Sequence, residues 1–296
     1  MDGLNPGLEK TLAFVHDKYI ISKKLGNGRF GAVFLGKDMT TEEKVAIKIE
    51  KRGDYSSIKH EVRMMNYLFQ RKFQHLPKTH WYGKQDIYTC LVMSYYECSL
   101  LQWCSNKDAL EMMGLRTIMY QCTKILSHIH GLFVIHRDIK PHHFMVKRGE
   151  LVLIDFGLAT FTIDENGELV PDTPQKTVIG TPNYISIHQH GGHRPGYRDD
   201  LISLGYMMLF LFSGSLPWEG CPNEFREPGG TISPEFLEHP LNLYKKSKKE
   251  WSVLSQVLEN SQEKLPELFS FMNYCHQLLY KDPPNYDLLL DLFQTT

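Results

Sequence analysis

The sequence has almost no charge of either sign to spare: 33 Lys and Arg stand against 34 Asp and Glu, a formal net charge of −1. That balance removes any global drive toward nucleic acid or an anionic membrane. Long hydrophobic runs are also missing. The longest, Leu204 to Phe212, falls well short of the roughly 20 residues that a spanning helix needs. Cysteine is sparse and scattered, at Cys90, Cys98, Cys104, Cys122, Cys221 and Cys275, with no CxxC pair. Reduced thiols in a cytoplasmic or nuclear protein are expected, not a disulfide framework. The first ten residues hold no apolar signal segment, and Asp2 rather than glycine follows Met1, against myristoylation. What is present, over 296 residues, is 42% hydrophobic and 23% charged, the composition of a globular enzyme with a sizeable core.

The two parts of the chain differ in pattern. After a leader at 1–11, short β-branched and aromatic segments at 19–28, 32–39 and 44–51 predict strands separated by glycine or charged turns. Ile58, Val62, Met65 and Leu68 recur at helical spacing within 56–70, and strands return at 80–85 and 88–96. The remainder is mainly helical. Residues 115–132 read as a helix with Gly131 as a C-cap, and 150–157 as a short apolar strand. Residues 199–214 are apolar nearly all round, as a buried helix is. Residues 233–262 suggest a loop with helices, and 265–279 and 285–293 terminal helices. An α+β, bilobal chain follows, with a β-rich N-lobe at 12–96, a helical C-lobe at 97–296 and a ligand cleft expected between them.

Four motifs carry chemistry. Gly26, Gly28 and Gly31, in a run ending at Val33, lie between two predicted strands, where glycines let backbone amides approach phosphate oxygens. A plain Gly-rich hairpin turn is the structural alternative. Lys48 closes Val45-Ala46-Ile47-Lys48 on the next strand; Glu61 on the following helix is placed to pair with it against ATP phosphates. Taken alone, Lys48 reads as a solvent-facing strand lysine. His136-Arg137-Asp138-Ile139-Lys140-Pro141 is the strongest signal. Asp138 suits orientation of an incoming hydroxyl, and Lys140 suits neutralisation of a transferred phosphoryl group. Asp155-Phe156-Gly157 ends a strand, and a carboxylate there suits Mg²⁺. Each motif has a bland reading, but their joint order is that of protein kinases.

From about Tyr19 to Phe293 the chain resembles the casein kinase 1 group, which includes the tau-tubulin and vaccinia-related kinases. The specific features lie in the helical part: the segment Gly180 to His188 in place of an Ala-Pro-Glu triplet, Tyr197 to Tyr206, Gly214 to Trp218, and Pro284-Asn285-Tyr286. The resemblance implies a serine/threonine kinase that takes ATP and Mg²⁺, with Mn²⁺ as an alternative, and acts on acidic or already phosphorylated protein substrates. It implies an ATP site built from Leu25, Gly26, Gly28, Gly31, Val33, Ala46, Lys48 and Glu61. Met93 is the implied gatekeeper, and the stretch Ser94 to Tyr96 the hinge. Thr181 is implied to brace Asp138, and Asp200 to anchor the catalytic loop. No nucleic acid or membrane partner is expected, and the oligomeric state stays open.

The sequence departs from the group at named positions. His143 stands where the second-metal Asn is usual. Three readings remain: His143 ligates a metal and shifts preference toward Mn²⁺, which tolerates nitrogen ligands better than Mg²⁺; His143 is a spectator beside Asp155; or the chain is a weak kinase or nucleotide-binding pseudokinase scaffold. Thr160 replaces a usual basic residue, and Ile202 a usual Glu. The run Lys245 to Lys249 could read phosphosubstrate or serve as a nuclear address, against a solvated helix face. Residues 221–243 resemble an insertion. His188, His190 and His193 are expected at the surface rather than around zinc.

Overall fold

Along residues 32–38 burial alternates: Ala32, Phe34, Gly36 and Asp38 face inward while Val33, Leu35 and Lys37 do not. A period of two commits this stretch to a half-buried strand. The computed structural model describes residues 13–27, 31–53, 56–105, 114–219, 237–259 and 265–294. They form two compact units, one running to Glu97 and including Val152–Gly157, the other comprising Cys98–Leu151 and the residues from Leu158 on. The leader and most of the 221–243 insertion lie outside the described residues.

The first unit is a six-stranded antiparallel sheet in the order β1-β2-β3-β4-β6-β5. Its strands are β1 (Phe14–Val15), β2 (Tyr19–Asn27), β3 (Ala32–Asp38), β4 (Lys44–Lys51), β5 (Thr79–Gln85) and β6 (Tyr88–Ser94), with helix α1 (Ser57–Gln70) between β4 and β5. Val15, Tyr19, Phe34, Val45, Ile47, Ile49, Cys90 and Val92 close its core. Each Val, Ile or Phe among them contributes about 1.5–3 kcal/mol of burial. The register sets Val33 opposite Lys48 and Ala46 opposite Met93. Helix α1 starts where the Ser56 side chain accepts from the Lys59 amide at 3.1 Å, and it buries Ile58, Val62, Met65 and Leu68.

The second unit is helical. It contains β7 (Cys98–Ser99), α2 (Leu100–Cys104), α3 (Leu115–Gly131), β8 (Val134–Ile135), β9 (Phe144–Lys147), the start of β10 (Glu150–Leu153) and β11 (Thr160–Phe161). Then follow α4 (Ile187–His190), α5 (Tyr197–Ser213), α6 (Pro240–Lys248), α7 (Trp251–Glu259), α8 (Pro266–Gln277) and α9 (Tyr286–Asp291). Helix α5 is buried without break from Arg198 to Leu209 and packs against α3 and α8. Its C-cap is Gly214 at φ 78°, whose amide donates to the Phe210 carbonyl at 2.8 Å. Gly131 does not play that part in α3. It is the last helical residue, the cap Leu132 has φ −99°, and the left-handed residue is Phe133 at φ 61°. Among the described residues no helix is long and apolar enough to cross a membrane, and the described cysteines are all free thiols.

Candidate active site

Strand β4 carries Lys48 toward carboxylates, not toward water. Its Nζ lies 2.6 Å from Glu61 Oε2 and 2.8 Å from Asp155 Oδ1, with the side chain only 11% exposed. Burial alone lowers the Lys48 pKa, but the charges of Glu61 and Asp155 outweigh it and hold the ammonium above its ordinary value. Burial pushes the Glu61 carboxyl up, and Lys48 offsets only part of that. Asp155 is the exposed member, at 38%, and its φ of 64° is strained for a non-glycine residue. Its hard oxygens suit Mg²⁺.

Glu50 had no signal in the sequence beyond its place on a strand, yet it sets where Glu61 stands. Its buried carboxylate accepts from the Ser57 amide at 3.1 Å, the Ser57 hydroxyl at 2.7 Å, the Ile58 amide at 3.3 Å and the Ser56 hydroxyl. A fixed anion thus satisfies orphan donors in the first turn of α1.

The glycines of the first motif divide. A Cβ on Gly31 would stand 2.1 Å from the Ile49 carbonyl oxygen, so the close approach of β4 already demands glycine there. A Cβ on Gly26 would meet nothing described within 4 Å, so packing does not explain that glycine. Gly28 lies outside the described residues. Gly26 pairs with Val33, Leu25 is exposed, and Ala46 and Met93 are buried partners across β4 and β6. The Ser94 amide donates to the Lys78 carbonyl at 3.0 Å, and Tyr96 is half-buried.

In the second unit the loop after β8 is held from its backbone. Asp200, near the start of α5, accepts from the amides of His136 at 2.6 Å and Arg137 at 2.8 Å, and bonds His130 Nε2 at 3.1 Å. Burial pushes the Asp200 carboxyl up, but the His130 bond, the charges of His130 and His136, and the His136 amide together keep it below the ordinary range. Arg137 sits at φ 68°, the turn that presents Asp138.

Asp138 is the hub. Thr181 Oγ1 donates to its Oδ1 at 2.6 Å, and Lys140 Nζ donates to its Oδ2 at 2.8 Å and to Thr181 Oγ1 at 2.9 Å. Burial pushes the Asp138 carboxyl up; the charges of His143 and Lys140 and the bonds from Lys140 and Thr181 overcome that and hold it low. Gly180 makes the closure sterically feasible, because it adopts φ 111° and a Cβ there would lie 2.6 Å from the Arg137 carbonyl oxygen. His143 is buried, its Nδ1 lies 2.9 Å from the Asp138 carbonyl oxygen, and its ring meets His136 edge-on. A carbonyl can only accept, so Nδ1 carries the hydrogen.

Two expectations change. His190 is not a surface histidine: it is buried, and burial first and Lys249 second push its pKa well below the ordinary value. His188 is held neutral by burial, its pKa down to about 3, while His193 is exposed beside Asp172. Among the described residues no group of His, Cys, Asp and Glu could hold a metal ion on its own. The lysine run is likewise no simple solvated face, because Lys245 and Lys249 are buried. A periodic pattern of charge could not separate these two from Lys246 and Lys248 on the same helix.

A family profile described as the protein kinase domain matches residues 19–282. The match spans both units and takes in Gly26, Lys48, Glu61, Asp138, Asp155 and Thr181. The chain belongs to the protein kinase family.

Proposed function

We propose that this enzyme is a serine/threonine protein kinase of the casein kinase 1 type, transferring the γ-phosphate of ATP to hydroxyls of proteins. The observation that carries the reading is the triangle of Asp138, Lys140 and Thr181, closed by three bonds of 2.6 to 2.9 Å. Asp138 is held too acidic to act as a strong base, so its part is to accept a hydrogen bond from the substrate hydroxyl and orient it. A loose phosphoryl-transfer transition state asks for little more than that. Lys140, two residues on, offsets charge on the transferred group. Lys48, oriented by Glu61, takes the ATP phosphates; Leu25, Gly26, Gly28, Gly31, Val33, Ala46, Met93, Ser94 and Tyr96 complete the nucleotide site. Asp155 would hold Mg²⁺, and the ion would supply charge neutralisation there. Protein substrates, acidic or phosphoprimed, and a cytoplasmic or nuclear setting belong to the same reading.

A second reading, a weakly active or nucleotide-binding scaffold, rests on His143. His143, with Nδ1–H on the Asp138 carbonyl, stands where an oxygen ligand is usual, and an imidazole ligand there would favour Mn²⁺ over Mg²⁺. The test is transfer from labelled ATP to casein in Mg²⁺ and separately in Mn²⁺, with phosphoamino-acid analysis. Phosphoserine and phosphothreonine are expected, with more label in Mn²⁺ and a shift toward Mg²⁺ in His143→Asn. No label in either metal, with ATP still raising the melting temperature, would instead support the scaffold.

A further inference from the structure

Lys249 follows the last turn of α6 and is wholly buried, with no carboxylate partner among the described residues. Its Nζ lies 3.0 Å from the Pro182 carbonyl oxygen, 2.7 Å from the Ile185 carbonyl oxygen and 3.0 Å from His190 Nε2. The rings of Tyr206 and Trp218 each stand 4.9 Å away. The tautomer of His190 follows from Asn242. The Asn242 amide nitrogen donates to the carbonyls of His190 at 3.1 Å and Leu237 at 3.0 Å, which turns its Oδ1 toward His190 Nδ1. Nδ1 therefore carries the hydrogen and Nε2 the lone pair. An ammonium has three N–H bonds, and here they meet three acceptors. Burial and the nearby Lys245 oppose the charge, while these acceptors and the two ring faces favour it.

Every acceptor in that set lies on, or just after, the segment that begins at Thr181. Trp218 Nε1 donates to the Asn183 carbonyl at 2.8 Å, and Lys245 Nζ reaches Asn183 Oδ1 and the Trp218 carbonyl. The Thr181 carbonyl takes the amides of Tyr184 at 2.8 Å and Ile185 at 3.1 Å. The backbone from Thr181 to Ile185 is thus gripped at successive carbonyls, with the Thr181 hydroxyl on Asp138 at its leading end.

We propose that Lys249 is a positioning residue for phosphotransfer, fixing the Pro182–Ile185 backbone so that Thr181 holds Asp138 and Lys140 in register. The proposal rests on the kinase reading of Asp138. Lys245 supports it through Asn183. Neither lysine meets substrate.

The test is a double-mutant cycle in the full chain, with casein as substrate. Lys249→Met keeps the stem and removes all three donors. It is expected to lower kcat/KM for casein about 100-fold, the scale of a misplacement near 1 Å, with KM for ATP unchanged. In a Thr181→Ala background the same change is expected to cost less than about threefold, because the residue it acts through is gone. Equal losses in both backgrounds would overturn the role of Lys249. Should Lys249→Met fail to fold, Lys245→Met enters the same cycle; non-additivity with Thr181→Ala is again expected, and additivity again overturns the proposal. A wild type inert toward casein contradicts the kinase reading and this role with it, whereas an active wild type with additive losses contradicts this role alone.

Discussion

Lys48 lies on a strand among carboxylates; Lys249 lies at a helix end among carbonyls, an imidazole and two aromatic rings. Both are withdrawn from water, and their titrations move in opposite directions. The anions around Lys48 strengthen its charge, and one of them, Asp155, is partly exposed. Such a lysine stays available for exchange with another anion. The neutral acceptors around Lys249 use up its hydrogens and leave it facing protein on every side. The contrast separates a cation held by exchangeable anions from a cation held by the backbone. Buried charge alone does not mark a functional site; the partners decide which kind it is.

The contrast can be broken at Lys48 with the largest effect. Lys48→Met is expected to lower phosphotransfer about 10²–10³-fold, the scale of one lost electrostatic contact to the transition state. The fold should persist, because Glu61 is already pushed toward its neutral form and can keep a proton. Circular dichroism and casein labelling check both halves.

Glu50 sharpens the contrast from the sheet side, since its own partners are neutral hydroxyls and amides. Glu50→Gln keeps the size and turns an NH₂ toward donors. A loss of about 2–3 kcal/mol in urea unfolding is expected, as for hydrogen bonds to a charged group. The Lys48–Glu61 pair should loosen with α1, seen as a raised KM for ATP.

A smaller effect separates the two surroundings by pH. In the helical unit His188 and His276 are held neutral, with pKa values down to about 3 and about 4, each chiefly by burial. The unfolded chain binds these protons near the ordinary 6.5, and the fold does not. Stability is therefore greatest above 6.5 and falls as pH drops, levelling off near each folded value. At pH 5 the His276 share of that fall is about 2 kcal/mol. His276→Phe keeps a ring against Trp251 and Tyr206, and the difference between urea midpoints at pH 7 and pH 5 should shrink by that share.

Much of this was legible in the sequence where local pattern and structure agree. Strand spacing fixed β2 to β4 within two residues at each end, and the apolar run around Leu204 announced a buried helix. Lys48, Glu61, Asp138, Lys140 and Asp155 follow from motif order and Thr181 from the family resemblance, and the first unit gathers Lys48, Glu61 and Asp155 as the second gathers Asp138, Lys140 and Thr181. What escaped depends on tertiary neighbours. Glu50 reads as one more strand polar residue until the start of α1 arrives beside it. Gly131 looks like a cap, yet the turn is taken at Phe133. Lys249 and His190 look solvated because charge and imidazole are usually outside, and only the fold encloses them.

The most direct measurement is single-turnover transfer from labelled ATP to casein by the wild type and by Asp138→Asn, with ATP binding followed by thermal shift. The account predicts label on casein with the wild type, a loss of at least about 10³-fold in Asp138→Asn, and an unchanged shift with ATP. Transfer by Asp138→Asn within about tenfold of the wild type would contradict it, because a residue that orients the hydroxyl cannot be dispensable.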